Sequence, residues 1–265
     1  MKANFCLIAV ILIVLSSSLA GCVGSDEDQG YSGPINLVVH YDSTSGMVTK
    51  NYSGDELNSE ERVELCFNFS GTTSEEGNIT MVYLYHHEGR SSQSFSDDYT
   101  VLCYEWRVHG LFEIRLGAQD ENNNTHDLQI TVKINMKIVR IDWDTKSSTM
   151  QFDTSPCCVN GKPPPETLTV SSEVTNQEDL FFSADDTEVI WSLDNPDGEE
   201  VASHGSETIE DGETEWWDVV VDELTNGIWS LNIEANGDNI NIKNQIIIRY
   251  PEGSEDPPNP RPQSI

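Results

Sequence analysis

Positive charge is what this sequence lacks most: its 265 residues include 14 Lys and Arg against 46 Asp and Glu, a net charge of −32. Proteins that bind DNA or RNA neutralise phosphates with clustered Lys and Arg, and no such cluster is present. The composition therefore excludes nucleic acid as a partner. It still allows a folded core, because six Trp, eight Tyr and eight Phe supply large apolar side chains.

Catalytic motifs are missing as well. The sequence contains no GxSxG elbow, no HExxH helix and no glycine-rich phosphate loop. We therefore expect no enzymatic activity and no catalytic residues. An exported enzyme whose site follows no motif is the second alternative.

Long apolar runs are also absent, since the longest, Phe5 to Leu15, is shorter than the roughly 20 residues of a membrane-spanning helix. A run of this length after Lys2 is typical of a secretory signal. The segment Leu19 to Cys22 then resembles the lipobox of prokaryotic lipoproteins, which are cut before the cysteine. The resemblance implies a signal peptide at 1–21, lipidation of Cys22 and an extracytoplasmic location on the membrane. An ordinary signal peptide cut nearby is the alternative.

Two polar tails flank the rest of the chain. Residues 22–34 place three consecutive acidic residues among Gly and Ser, which predicts a flexible acidic spacer. Residues 251–265 hold five prolines and almost no large apolar side chain. This composition predicts a disordered Pro-rich tail.

A repeat organises the residues between these tails. Gly110 to Ala118 matches Gly227 to Ala235, with the alternating apolar positions in register. Four more matches keep the same order: 35–46 with 137–148, 63–69 with 168–174, 81–85 with 189–193, and 130–134 with 246–250. The repeat therefore predicts two modules of similar length, residues 35–136 and 137–250.

The matched segments alternate apolar and polar residues, and clusters of Gly, Asn, Asp and Ser separate them. This pattern predicts antiparallel strands with one wet face, and no window after the signal carries a helical stripe. We therefore predict an all-β chain of two tandem β-sandwiches. The modules resemble immunoglobulin-like or PKD-like domains. The resemblance rests on the patterns Gly110-Leu111-Phe112 and Gly227-Ile228-Trp229, each followed by alternating apolar residues. The modules depart from antibody domains because no Trp lies between Cys66 and Cys103.

Four cysteines stay available once Cys6 and Cys22 are set aside: Cys66, Cys103, Cys157 and Cys158. An even number in an exported chain predicts disulfides, with three connectivities. We favour Cys66 with Cys103, because both lie on predicted strands of the first module. Cys157 and Cys158 are adjacent, which leaves a vicinal disulfide with a binding or redox role, a local loop staple, or pairing with another chain.

Acidic side chains are densest in residues 194–223, which contain twelve of them and no Lys or Arg. Calcium takes oxygen ligands, so Asp194, Asp197 and the carbonyl groups near Gly198 form a candidate calcium site. Their spacing matches no EF-hand loop, and a solvated acidic face is the alternative. No other cofactor is expected.

Two further features suggest surface chemistry. Trp216 and Trp217 are neighbours on a predicted strand, so one of them faces outward and is a candidate for contacting a ligand such as a sugar. The alternative is that it only covers a sheet edge. Four N-x-S/T sequons lie in the first module and are candidates for glycosylation: Asn51, Asn68, Asn78 and Asn123.

Together these features resemble an archaeal cell-surface lipoprotein, with a bacterial lipoprotein as the alternative. The expected function is a lipid-anchored surface protein with a binding, adhesion or structural display role, and with surface proteins or glycans as partners. A carbohydrate- or solute-binding accessory lipoprotein is the alternative. The second module carries most of the charge, with 24 acids and 6 bases against 16 and 6 in the first.

Overall fold

We describe a computed structural model of the chain, which covers residues 33–86, 91–95, 100–157, 163–177 and 186–261. These residues form 17 strands and no helix, which confirms the all-β prediction. None of them belongs to a helix long and apolar enough to cross a membrane. The predicted signal peptide and nearly all of the predicted spacer lie outside the described residues.

The strands before the predicted module boundary are β1 (Ile35–Asn36), β2 (Ser45–Ser53), β3 (Glu56–Glu61), β4 (Val63–Asn68), β5 (Thr73–Ser74), β6 (Ile79–His86), β7 (Ser91–Phe95), β8 (Val101–Trp106) and β9 (Gly110–Asp120). The long strand β10 (Thr125–Thr145) follows. The others are β11 (Ser147–Asp153), β12 (Thr167–Asn176), β13 (Thr187–Asp194), β14 (Glu200–Ile209), β15 (Thr214–Asp222), β16 (Ile228–Asn236) and β17 (Ile240–Arg249).

Four sheets result from these strands. The large sheet has the order β15-β12-β17-β10-β9-β6-β7, with β2 beside β10 and β3 beside β2. The small sheet has the order β11-β16-β13-β14, and the pairs β4-β8 and β1-β5 complete the set. Every pairing is antiparallel except that of β2 with β10, which is parallel.

The C-terminal half is a β-sandwich. Strands β15, β12, β17 and β10 of the large sheet face the small sheet, and alternating residues of both are buried, as in β12 and β13. Trp191 of β13 is fully buried and donates a 3.0 Å hydrogen bond from Nε1 to the hydroxyl group of Ser172 on β12. This contact joins the two layers, because the two residues belong to different sheets.

The N-terminal half also has two layers, because the β4-β8 pair packs against β6 and β9. The ring of Tyr104 on β8 lies 4.6 Å from that of His86 on β6, measured between ring centroids. The ring of Trp106 lies 6.4 Å from that of Phe112 on β9. The β-sandwich architecture predicted for this half therefore matches the observed layers.

Strand β10 runs without a break across the predicted module boundary. It pairs with β9 from Thr125 to Ile134 and with β17 from Met136 to Thr145. The described residues from Pro34 onward form one compact unit. The division into modules 35–136 and 137–250 therefore stays a prediction.

The sequence repeat is reflected in the pairing of most strands, but not of the last ones. β6 pairs with β9 as β13 pairs with β16, and β4 pairs with β8 as β12 pairs with β15. The closing strands differ, since β10 lies beside β9 whereas β17 lies in the other sheet from β16, between β12 and β10. The last strands of the two halves therefore lie side by side in the large sheet but pair with strands that are not counterparts, β10 with β9 and β17 with β12.

The C-terminal segment is ordered where the structure describes it, so the prediction of a disordered tail at 251–265 is wrong for residues 251–261. Asn259 exchanges two main-chain hydrogen bonds with Tyr41, of 2.9 and 3.0 Å. Asp256 accepts a hydrogen bond from the main chain of Thr131 on β10, with a distance of 2.6 Å. Polar contacts hold the segment, which is why its low apolar content was misleading.

Candidate functional site

The outward face of the large sheet in the C-terminal half presents an exposed tryptophan, Trp216. Its side chain is 62% exposed, whereas that of Trp217 is 8% exposed and belongs to the core. Trp216 lies opposite Glu173 of β12, and Glu173 lies opposite Lys243 of β17. The two tryptophans thus lie on opposite faces of β15.

A second exposed tryptophan lies on the same face. Trp143 is 64% exposed and follows Asp142, whose carboxylate faces the interior and accepts a 2.6 Å hydrogen bond from Ser148. Because side chains alternate along a strand, Trp143 faces outward with Ile141, which lies opposite Lys243. Trp143 was not predicted as a site residue, although the alternation of residues from Lys137 onward indicates an outward position for it.

The two tryptophans and the side chains between them form what we call the tryptophan face: Trp143, Ile141, Lys243, Glu173 and Trp216. Strands β10 and β15 are three places apart, so the two rings are separated across the strands by about 14 Å, three spacings of about 4.8 Å. Nζ of Lys243 lies 3.2 Å from Oε2 of Glu173. The centre of the face is therefore an ion pair flanked by aromatic rings.

The centre of the outward face is close to electrical balance. In the regular pairings of β10 after the boundary, β12, β15 and β17, the outward-facing charged residues are Lys137, Lys243, Arg249, Glu173, Asp218 and Asp222. Three bases thus offset three acids there, whereas the bulge of β10 adds the exposed Asp144, and β3 adds Glu56 and Glu61 opposite Ser53 and Thr49 of β2. This face holds half of the six Lys and Arg residues of the segment 137–250 but only a few of its 24 Asp and Glu residues. Most of the acidic side chains therefore lie on other surfaces.

A groove occupies the junction of the two halves. Two adjoining cavities of about 350 and 400 Å³ lie between β2, β10 and the open edge of β11. Both are lined by Tyr52, Ile138 and Gln151. The groove exists because the large sheet extends past β10 to β2 and β3, whereas the small sheet ends at β11.

His109 closes one end of this groove. Its Nε2 lies 3.1 Å from the carbonyl oxygen of Asp153, and its Nδ1 lies 2.9 Å from the hydroxyl group of Tyr250. A carbonyl can only accept, so Nε2 carries the proton and Nδ1 accepts from Tyr250. Burial lowers the pKa of His109, with a smaller contribution from Lys50, while the hydrogen bond and charge of Asp153 oppose the shift. His109 is therefore neutral at pH 7.

Arg140 closes the other end. Its Nε lies 3.0 Å from Oδ1 of Asp142, and its Nη1 lies 3.0 Å from Oδ1 of Asp55. Nη1 also donates a 3.2 Å hydrogen bond to the carbonyl oxygen of Thr149 on β11. These contacts fix the guanidinium group against the open edge of the small sheet.

The predicted calcium residues lie close together but with other partners. Asp194 ends β13, and its Oδ2 accepts a 2.8 Å hydrogen bond from Asn232. Asp197 lies in the next turn, where its main-chain N–H donates to Asn195. In the part of the chain that the structure describes, no three His, Cys, Asp or Glu side chains are grouped to hold a metal. The calcium site stays a prediction.

The disulfide prediction is confirmed for Cys66 and Cys103, which are directly opposite on β4 and β8 with an S–S distance of 2.04 Å. Cys157 is also disulfide-bonded. Its predicted neighbour Cys158 lies outside the described residues, as does the predicted lipidation site Cys22. The role proposed for the adjacent cysteines therefore stays a prediction.

The four sequons differ in accessibility. Asn78 and Asn123 are exposed, whereas Asn51 and Asn68 are half-buried. The amide group of Asn51 donates a 2.9 Å hydrogen bond to Ser59, and the amide oxygen of Asn68 accepts one of 2.9 Å from Ser70. Glycosylation stays a prediction, with better access at Asn78 and Asn123.

Comparison with known proteins gives no family. No protein-family model matches the chain. No curated protein sequence matches it. A structure of carbohydrate-binding modules from the β-sandwich superfamily is similar over 84% of this chain and 100% of that chain, at 10% identity and a TM-score of 0.29.

Other solved structures are similar at the same level. The CBM51-2 structure with GlcNAc and INT domains from Clostridium perfringens ZmpB has 12% identity and a TM-score of 0.28, over 82% of this chain and 49% of that chain. Tripeptidyl peptidase 2 has 7% identity and a TM-score of 0.27, over 84% and 21%. At such low scores we base no argument on these likenesses.

Proposed function

We propose that the protein is an exported, lipid-anchored surface protein that binds neutral extracellular carbohydrate through the tryptophan face. The export signal and the lipobox-like segment support the location. The observation that carries the binding role is the pair of tryptophans, 64% and 62% exposed, on one face of one sheet. Of the binding, adhesion and display roles that the sequence leaves open, this arrangement favours binding.

The chemistry of the face suits a sugar chain. A pyranose ring has a flat face of C–H groups that packs on an aromatic ring, and hydroxyl groups that exchange hydrogen bonds with polar side chains. Glu173 and Lys243 supply an acceptor and donors between the two rings. A separation of about 14 Å across three strand spacings spans an oligosaccharide rather than a single sugar.

Charge limits the class of carbohydrate. The protein as a whole carries a net charge of −32, which repels polyanions. The tryptophan face itself pairs one Lys with one Glu, so it offers no excess positive charge that would attract an acidic polymer. We therefore expect neutral polysaccharides to bind and acidic ones to bind less.

Affinity electrophoresis with soluble β-glucan, mannan and starch, and with alginate as the acidic comparison, tests this function. We expect Trp143→Ala and Trp216→Ala each to weaken retention about tenfold, which corresponds to a loss of about 1.4 kcal/mol of stacking energy. Ile190→Ala is the matched control, because Ile190 is 48% exposed on the small sheet. Retention by none of the three neutral polymers, or retention that neither tryptophan variant changes, would contradict the proposal.

The anchor needs its own experiment. We expect Cys22→Ser to prevent lipid attachment and to move the protein from the membrane fraction to the soluble extracellular fraction. If the variant stays with membranes and the wild-type N-terminus carries no lipid by mass spectrometry, the lipobox interpretation is wrong. Carbohydrate binding by the purified protein is independent of this result.

A further inference from the structure

The junction groove lies where one more strand would extend the small sheet. Among the residues that the structure describes, no strand follows β11 in the small sheet, while β2 of the large sheet continues underneath it. The floor of the groove is formed by inward-facing residues of β10 and β2, Ile138 opposite Lys50 and Arg140 opposite Tyr52. An added strand beside β11 would lie over these side chains and extend the sandwich by one strand.

The main chain of β11 is oriented to accept such a strand. Its alternate residues Ser147, Thr149 and Asp153 direct their carbonyl groups away from β16, toward Thr145, Arg140 and His109. The alternation of an antiparallel pair places the N–H and C=O groups of Gln151 on the same open edge. Neither group has a partner among the described residues.

The two ends of this edge are closed by side chains. Arg140 covers Thr149 and His109 covers Asp153, so only the stretch around Gln151 is open. Four residues of strand extend about 13 Å, which limits an added segment to a few residues. Closed ends and an open centre also prevent long edge-to-edge pairing between copies of the chain.

We propose that this groove is a peptide-binding site in which a short extended segment adds a strand to β11 by exchanging two hydrogen bonds with the main chain of Gln151. One side of the added segment faces Ile138 and Tyr52, and the other faces solvent. The neighbouring cations on the floor, Lys50 and Arg140, are already paired with Glu60, Asp55 and Asp142. The groove therefore selects a peptide with alternating apolar and polar residues. Its cavities, about 350 and 400 Å³, have the size of ordinary ligand sites.

Hydrogen exchange tests the open edge in the free protein. We expect the Gln151 amide to exchange much faster than those of Met150 and Phe152, which face β16. An acetylated and amidated pentapeptide of alternating Val and Thr should then slow exchange at Gln151. A Gln151 amide that is already protected in the absence of peptide would overturn the proposal.

Titration of the full-length protein with the same pentapeptide, followed by amide chemical shifts, tests recognition. We expect saturable shifts at Thr149 to Asp153 and at Tyr52. Gln151→Pro removes the main-chain donor on the open edge and should weaken binding at least tenfold, whereas Gln151→Ala keeps the donor and should weaken binding far less. Equal binding by both variants would overturn the proposal.

A modified probe gives the same answer without a variant. The pentapeptide with every amide N-methylated keeps its side chains but cannot donate hydrogen bonds, so it should not bind wild-type protein. If it binds as well as the parent peptide, strand addition is wrong even where Gln151→Pro fails to fold. Carbohydrate binding by the tryptophan face does not depend on this outcome.

Discussion

His109 and Tyr250 join the two halves of the chain: the imidazole Nδ1 of His109 accepts a 2.9 Å hydrogen bond from the Tyr250 hydroxyl group. His109 precedes β9, and Tyr250 follows β17. The same imidazole reaches the main chain of Asp153 at the end of β11. One buried side chain therefore connects three segments around the junction groove.

This connection makes stability depend on pH. The pKa of His109 is lowered in the folded state by burial, so the unfolded chain binds more protons once the pH falls toward the ordinary histidine pKa of about 6.5. The contribution of His109 is therefore complete above that pH and is lost as the pH falls through its folded pKa.

We expect His109→Gln to remove this part of the pH dependence, because Gln does not titrate. In urea unfolding, the difference in unfolding free energy between wild type and variant should shrink as the pH falls from about 7 to 5, by at most about 1.4 kcal/mol per pH unit. A difference that is constant over this range would show that His109 keeps its ordinary pKa.

Lys133 and Glu255 attach the C-terminal segment to β10. Lys133 is 3% exposed, and its Nζ lies 2.9 Å from Oε2 of Glu255. Burial lowers the pKa of Lys133, but Glu255 and Glu252 raise it more, so the ammonium group stays charged. Removing the carboxylate would leave a buried charge whose remaining partners are the exposed carboxylate of Glu252 and the carbonyl oxygen of Pro251, each 3.4 Å from Nζ.

We expect Glu255→Gln to lower the free energy of unfolding by about 2–3 kcal/mol, between the values for exposed and buried ion pairs. In a Lys133→Met background the same change should cost much less, because no buried charge is left behind. A double-mutant cycle by chemical unfolding measures this coupling. Additive effects of the two changes would contradict it.

Local pattern was enough to predict the strands, but not their partners. The alternation in β12 and β16 is strict, and both segments are strands as the sequence indicates. The closing strands β10 and β17 show the same alternation, yet β10 pairs with β9 whereas β17 pairs with β12, which is not the counterpart of β9. The pairing partner of a strand depends on contacts with residues distant in sequence. The alternation of apolar and polar residues indicates only which side chains are buried.

Candidate sites within one strand or one strand pair were predicted from the sequence, whereas sites built from distant segments were not. Trp216 and the disulfide of Cys66 with Cys103 were found because each rests on residues within one strand or one strand pair. The junction groove was not found, since Tyr52, Ile138 and Gln151 come from three strands and carry no common motif. The order of residues 251–261 was also missed, because side-chain and main-chain polar contacts fix them in place of apolar burial.

The disulfide should act mainly on the unfolded chain. Cys66 and Cys103 are exposed and are separated by 37 residues, so replacing them opens no cavity in the core. The chain-entropy model then predicts that the double variant Cys66→Ala with Cys103→Ala loses about 3–4 kcal/mol of unfolding free energy. Chemical unfolding measures the loss, and a change below about 1 kcal/mol would contradict the model.

Trp216 and Trp217 are adjacent but differ in burial, so substitutions at the two positions test binding and folding separately. Trp217 packs into the core at 8% exposure, so Trp217→Ala should lower the unfolding free energy by about 3–5 kcal/mol. Trp216 is 62% exposed, so Trp216→Ala should change it by no more than about 0.5 kcal/mol. Thermal and chemical unfolding of both variants check this contrast. If Trp216→Ala destabilised the protein as much as Trp217→Ala, its side chain would be part of the core, and its loss of polysaccharide retention would no longer indicate a binding surface.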